Sequence, residues 1–465
     1  MAHLSVVPAK RAWLEALADS DEAFTALTGV PVEPGWTAEF PGIVRYCLQR
    51  LDSGDDPAWS IHLFFDTDHG GALVGNGGWK GAPVDGVAEL GYAVAPACRN
   101  RGIAGGAVAV LLAQARAAGL HTVIAHTLRE PSASTHVLER RGFRHVGDEH
   151  EDGVPVWRWE RPVRPDDAVQ MHVDEVHTDA ALVRRLLLAQ HPEWADRPIS
   201  RVPSAGTDNA MYRIGDDLAV RLPRIDWAVK NVAKEQRWLP TLAPHLPLAV
   251  PLPVAEGLPT DEFPYPWGVV RWLPGRLATL DGLDDPVQAA KDLAAFVRAL
   301  REIDHRDGPR HQRGASIRHG DRMVRDGVGR LDGELEVDAL LAVWSEAVTA
   351  SEHDGPPTWF HGDLSYLNLL ATDGRISGVI DWGTCGVGDP AIDMIPAWSL
   401  LPAGAREVYR DELGVDDAEW ARGKGWVITG VFGIPYYRYT NPVLVADKLH
   451  AIAAVLEERQ AIGRS

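Results

Sequence analysis

Only three cysteines, Cys47, Cys98 and Cys385, occur in 465 residues, and none forms a C-x-x-C pair or a Cys/His cluster. That excludes a disulfide framework and a structural zinc site. Long apolar runs are scarce as well. The longest, around Gly105 to Ala113, is about half a membrane span and lies between Arg101 and Arg116. The N-terminal stretch Met1-Ala-His-Leu-Ser-Val-Val-Pro8 lacks a basic segment leading into a long apolar one, so no signal peptide is read and cytoplasm is the expectation. Positive charge is in short supply: 46 Lys plus Arg face 65 Asp plus Glu, for a net charge of −19. Phosphate would repel such a chain, which argues against nucleic acid or an anionic membrane as partner and for a cationic small molecule. Internal repeats and low-complexity tracts are absent.

The remaining composition, 45% hydrophobic and 24% charged, is that of a soluble globular protein, and 465 residues suit two or three domains. The stretch Glu160-Arg-Pro-Val-Arg-Pro-Asp-Asp167 holds two prolines and no apolar periodicity and reads as an exposed linker. The expected division is a domain at 1–162, a linker at 163–170 and the rest beyond. Residues 1–165 carry 15 basic and 20 acidic side chains, leaving 31 and 45 for the second part, the more acidic one.

In the first part, apolar spacing predicts helices over Ala9 to Ala18 and Phe40 to Leu51 and strands over Ser60 to Phe65 and Ala72 to Trp79. A strand, Glu89-Leu-Gly-Tyr-Ala-Val-Ala95, runs into Arg99-Asn-Arg101-Gly102-Ile103-Ala104 and then a helix ending near Gly119. A strand at His121 to Thr127 and a helix at Ser134 to Arg141 follow, an α/β pattern. Small residues at a helix start let backbone N–H groups approach an anion, and Arg99 and Arg101 add charge. Equally, such a loop is an ordinary glycine turn with two solvated arginines. The loop, the strand before it and the helix closing in Glu139-Arg-Arg-Gly142-Phe143 together resemble the GCN5-related N-acetyltransferase (GNAT) family over about 8–160. The resemblance implies that Arg99, Arg101, Gly102 and Ala104 hold the acetyl-CoA pyrophosphate. It implies that the Val94 N–H polarises the thioester carbonyl and that Glu89 takes a proton from an amine. Many members place a Tyr general acid four residues before the Gly-Phe pair. Leu138 stands there in this chain, with His136 and Tyr92 as nearby alternatives.

The second part contains Phe360-His361-Gly362-Asp363-Leu-Ser-Tyr-Leu-Asn368, an H-x-D-x-x-x-x-N spacing, and then Val379-Ile380-Asp381-Trp382-Gly383. Phosphoryl transfer needs one Asp to orient and deprotonate the attacking hydroxyl, here Asp363. It also needs oxygen ligands to hold Mg²⁺ against the nucleotide phosphates, here Asn368 and Asp381. Apolar runs beside both elements predict a short hairpin fixing these groups. The match is closest to the aminoglycoside phosphotransferase family, a protein-kinase-like fold, from about 170 onward. On that resemblance Ser204 and Gly206 belong to a turn over the phosphates of ATP or GTP. Arg221 replaces the usual Lys of the third strand, and Glu235 on a helix at Val229 to Leu239 pairs with it. Gly268 to Gly275 forms the hinge, between a small lobe at 171–275 and a helical lobe at 276–465. Asp389 and Asp393 buttress the catalytic loop.

The fold class is therefore α/β plus α+β, a GNAT fold followed by a bilobal protein-kinase-like fold. This order resembles bifunctional aminoglycoside-modifying enzymes, which implies ATP (or GTP), Mg²⁺ and acetyl-CoA as cofactors and a cationic small molecule as acceptor. The acids Glu407, Asp411, Glu412, Asp416, Asp417 and Glu419 lie where the family's helical lobe meets substrate, or are a solvated helix surface. Two other readings stay open: a kinase for a macrolide, sugar or amino alcohol, and a first domain that binds acetyl-CoA as a sensor without turnover.

Overall fold

The computed structural model describes residues 4–66, 71–151, 153–163, 175–204, 206–331, 335–438 and 441–462. Contacts divide the chain into two units, Met1–Glu175 with Gly433–Pro442, and Val176–Phe432 with Val443–Ser465.

The first unit is built on a seven-stranded sheet of β1 (Leu4–Pro8), β2 (Ile61–Asp66), β3 (Ala72–Trp79), β4 (Val87–Val94), β5 (Thr122–Leu128), β6 (Arg144–Glu151) and β7 (Val154–Pro162). Their order across the sheet is β1-β2-β3-β4-β5-β7-β6. Helices α1 (Arg11–Asp19), α2 (Asp21–Thr28) and α3 (Ile43–Asp52) pack Trp13, Leu14, Phe24 and Val44 against Leu63 and Phe65. A second core joins α4 (Ile103–Ala117) and α5 (Ala133–Arg140) to Ala88, Leu90, Val123, Ala125 and Trp159. The strands alternate accordingly: in β5, Val123, Ala125 and Thr127 are buried, whereas Ile124 and His126 face the other side. Strand β7 runs through Pro162, which pairs with Thr122 at the strand's end. The first residues of the stretch read as linker therefore belong to the sheet. A proline at a strand end costs the ladder little. Residues 164–170 lie outside the described ones.

The main feature of this sheet is where it opens. Strands β4 and β5 are parallel but pair only at Val87–Glu89 with Thr122–Ile124. Past Glu89 the one turns to β3 and the other to β7.

In the second unit, after α6 (Ala180–Gln190), a five-stranded sheet contains β8 (Ile199–Arg201), β9 (Asn209–Ile214), β10 (Leu218–Pro223), β11 (Pro253–Gly257) and β12 (Trp267–Arg271). Its order is β11-β12-β10-β9-β8, and α7 (Val229–Leu242) follows β10. Beyond it come β13 (Arg276–Leu277), α8 (Pro286–Glu302), α9 (Asp321–Arg330) and α10 (Val337–Thr349). Next are β14 (Thr358–Phe360), β15 (Leu369–Thr372), β16 (Arg375–Val379) and β17 (Gly386–Gly388). The rest is helical: α11 (Pro396–Ser399), α12 (Ala403–Leu413), α13 (Asp417–Ile428), the short α14 (Gly433–Tyr437) counted with the first unit, and α15 (Pro442–Ile462). The expected hairpin is present as β15 and β16, with Leu369 opposite Val379.

Candidate active sites

The H-G-D segment leaves β14 through a turn that only glycine fits. Gly362 has φ +86°, and a Cβ there would meet the Thr384 carbonyl oxygen at 2.9 Å. Buried Asp393 receives the backbone N–H groups of His361 and Gly362, each at 2.8 Å. The His361 ring is buried, bonds the Ile380 carbonyl through Nε2 at 3.1 Å and accepts the Asp363 N–H at Nδ1 at 3.2 Å. Burial holds its pKa down at about 4, so the ring is neutral and both bonds are satisfied. One imidazole thus ties the loop bearing Asp363 to the strand end bearing Asp381.

Both Asp363 oxygens are engaged: Oδ1 lies 2.9 Å from Arg313, and Oδ2 accepts Asn368 Nδ2 at 3.0 Å. Burial pushes this carboxyl up, but Arg313 and Lys448 outweigh it and leave the pKa at about 2. Asn368 Nδ2 also donates to the Asp363 carbonyl at 2.8 Å, which leaves the amide oxygen of Asn368 turned away from that bond. The Ile380 N–H donates to the Asn368 carbonyl at 2.9 Å, setting Asn368 across the hairpin from Asp381. Asp381 adopts a left-handed backbone, φ +62°, a conformation that non-glycine residues hold at functional turns. An amide oxygen and a carboxylate are the oxygen donors that suit a hard cation such as Mg²⁺.

Arg221, buried in β10, places its guanidinium 2.5 Å from Glu235 of α7 and 2.8 Å from Asp381. With its side-chain amide oriented to accept, Asn209 takes two further Arg221 bonds at 3.0 and 3.1 Å. Burial pushes the Glu235 carboxyl up, to about 7, although the Arg221 guanidinium beside it pulls the other way. In the turn beside them, Ser204 Oγ accepts the Gly206 N–H at 2.9 Å, so a phosphate would compete with that hydroxyl for this donor. Asp389 is held by Arg422 at 2.8 and 3.2 Å, and the Tyr409 hydroxyl reaches the Asp393 carbonyl at 2.7 Å.

Sequence reasoning missed three residues of this site. Arg313 lies fifty positions before Asp363. Its loop is strapped to β17 by Val387 N–H to Pro309 O at 2.9 Å and Asp389 N–H to Gly314 O at 3.0 Å. Lys234 donates to the Cys385 carbonyl at 3.0 Å, and Asp208 accepts from Asn231 at 2.9 Å. Arg313 lies in no periodic segment or recognisable motif, whereas Lys234 sits on the expected helix and Asp208 in the expected turn, where only tertiary packing shows what they meet. The acids 407–419 largely serve the helices themselves. Asp416 caps α13 through the Glu419 N–H at 2.7 Å, Glu419 pairs with Arg301 at 2.6 Å, and Asp417 pairs with Arg410.

In the first unit, Lys80 N–H to Glu89 O and Ala95 N–H to Val74 O show that odd-numbered positions of β4 bond to β3. The Val94 N–H therefore points into the opening between β4 and β5, where the Val94 carbonyl accepts Arg99 Nε at 3.3 Å. Gly102, φ +80°, caps α4. The first helical bond is donated by Gly106 to Gly102, so the N–H groups of Ile103, Ala104 and Gly105 precede the ladder. Such donors fit a pyrophosphate. Arg99 pairs with Glu39 and Arg101 with buried Asp66, at 2.6 and 2.5 Å. Glu89 meets Lys80 at 2.5 Å and His126 at 2.8 Å. Leu138 is packed in the core. The Tyr92 hydroxyl bridges to Ser134 at 3.0 and 3.1 Å, and burial pushes its pKa up to about 12. His136 caps back onto the Ser132 carbonyl at 2.8 Å.

An opened mixed sheet with unpaired N–H groups at the start of α4, followed by a two-lobed domain in which Arg221 of β10 meets Asp381, fits two transferase-type domains. Residues 4–144 match the family model for the acetyltransferase (GNAT) domain, and residues 200–426 match that for the phosphotransferase enzyme family. The chain thus joins a GNAT domain to a phosphotransferase-family domain. Among solved structures, the chain is similar to a GDP complex of a point mutant of aminoglycoside 2′-phosphotransferase-IIIa, at 20% identity and TM-score 0.50 over 62% of this chain and 99% of that one. It is also similar to the wild-type GDP complex, at 18% identity and TM-score 0.50 over 61% and 100%. At these identities the likeness concerns the fold. No curated protein matches significantly. Among the described residues, no helix is long and apolar enough to cross a membrane.

Proposed function

We propose that the second domain transfers the γ-phosphoryl group of ATP or GTP to a hydroxyl of a cationic, aminoglycoside-like small molecule, and that the first domain acetylates an amine from acetyl-CoA. The observation that carries the kinase reading is the linkage of Asp363, Asn368 and Asp381 through His361 and the hairpin. Asp363 orients the acceptor hydroxyl and takes its proton as oxygen attacks the γ-phosphorus and the nucleoside diphosphate leaves. Arg221, fixed by Glu235 and Asp381, would bring positive charge toward the α- and β-phosphates. Mg²⁺ on Asn368 and Asp381 would neutralise charge on the phosphates. The net charge of −19 supports a cationic acceptor. Asp363→Ala should lower phosphoryl transfer by about 10²–10⁴-fold while nucleotide still binds, read as ADP release and by calorimetry. Full turnover of that variant contradicts the base assignment.

For the first domain, the inward-pointing Val94 N–H would stabilise the oxyanion as an amine attacks the thioester, and Glu89, the last β4 residue paired with β5, would take the proton. A sensor reading is favoured by one feature: Leu138 is core, and Tyr92 is committed to Ser134, so no tyrosine hydroxyl is left at the expected acid position. Acetyl-CoA binding without thiol release would identify a sensor. An acceptor such as a macrolide, a sugar or an amino alcohol is the second reading for the kinase.

A further inference from the structure

The sheet face opposite α4 and α5 gathers an unusual set of charged side chains. Glu89 comes from β4, Lys80 from just beyond β3, His126 from β5, Glu149 and Glu151 from β6, and Arg158 from β7. His126 stands between two carboxylates. Its Nδ1 is 2.8 Å from Glu89 Oε1 and its Nε2 is 3.0 Å from Glu149 Oε2. Side-chain exposure is 20% at Glu89, 10% at His126 and 43% at Glu149, so the line runs from the last paired residue before the β4–β5 opening, through a covered ring, to water. Imidazole alone among side chains carries exchangeable protons on opposite ring edges, so it can accept at one nitrogen while releasing at the other. The surrounding cations balance the carboxylates: Lys80 lies against Glu89 and Glu151, and Arg158 lies 3.0 Å from Glu149.

We propose that His126 relays protons between Glu89 and Glu149 during acetyl transfer, acting as a positioning and relay residue. The inference rests on the acetyl-transfer reading above. The balance requires such an exit. When an ammonium becomes an amide, nitrogen forms a bond to the acetyl carbon, and the C–S bond breaks with its electron pair on sulfur. Two protons leave nitrogen: one ends on the CoA thiol, and the other must reach solvent. It passes from nitrogen to Glu89 and on to His126 Nδ1, while the Nε2 proton passes to Glu149 and water. Glu89, His126 and Glu151 also offer ligand atoms within 4.8 Å of one another, but the Lys80 ammonium already lies on both carboxylates, which disfavours a metal ion there.

The test uses the full chain with acetyl-CoA and kanamycin as amine probe, following thiol release. His126→Gln should lower kcat by about 10²-fold with acetyl-CoA affinity unchanged, and added imidazole should restore much of the rate. Glu149→Gln, at the exposed end where folding is least at risk, should lower kcat in the same direction. Wild-type turnover with both variants unimpaired would overturn the relay, as would a loss that imidazole does not restore. So would wild-type activity abolished by chelator and restored by Zn²⁺. A wild-type chain that binds acetyl-CoA but acetylates no amine would overturn the acetyl-transfer reading itself.

Discussion

Asp363 is held on both oxygens, by Arg313 and by Asn368, before any acceptor is considered. A carboxylate so anchored has little freedom to rotate away from a hydroxyl, which is how positioning lowers a barrier. Arg313→Ala should therefore lower kcat by about 10²-fold, with nucleotide affinity little changed, and guanidinium added to the assay should recover part of it. Steady-state kinetics with and without guanidinium check this. Equal kcat for variant and wild type would mean that Asn368 and the backbone suffice. Arg221 differs from Arg313 in being buried between Glu235 and Asp381, where it joins the five-stranded sheet to the turn that follows β16.

At the scale of elements, buried acids carry the loop that bears Asp363. Asp393 gathers two loop N–H groups, and Asp389 is closed by Arg422 from α13. Arg422→Ala leaves Asp389 buried without its partner and should cost about 3–5 kcal/mol, read by denaturant unfolding of the second domain. In the first domain, Gly102→Glu puts a negative side chain on a left-handed cap facing the α4 donors and should weaken acetyl-CoA binding at least about tenfold. Calorimetric titration decides that, and unchanged affinity would reduce the loop to a turn. Much of this was legible in the sequence. Asp363, Asn368 and Asp381 fall in contiguous motifs flanked by Leu369-Leu370 and Ile376 to Ile380, runs read as a short hairpin and found as β15 and β16. The Arg221–Glu235 pair was expected from the resemblance to the kinase-like family, and the two side chains do meet. Arg313 and His126 were not legible, since a single residue on a loop or strand carries no periodicity and only tertiary packing gives it a partner. The three-residue strands β14 and β17 are too short for alternation to register.

For the whole molecule, the excess of 19 negative charges is a long-range field rather than a set of contacts. Such a field raises the local concentration of cations and is screened by salt. Raising ionic strength from about 20 to 200 mM should increase KM for a polycationic acceptor several-fold while KM for a neutral polyol changes little. Parallel salt dependence for both acceptors would show that charge plays no part in capture. The central claim, phosphoryl transfer to a cationic hydroxyl compound, is tested most directly by mass spectrometry of kanamycin, gentamicin, a macrolide and a neutral sugar alcohol, each incubated with the protein and Mg·ATP. The prediction is a gain of one phosphoryl group on an aminoglycoside, lost in Asp363→Ala. Phosphorylation of the neutral alcohol or macrolide alone, or of no compound while ATP binds, would contradict it.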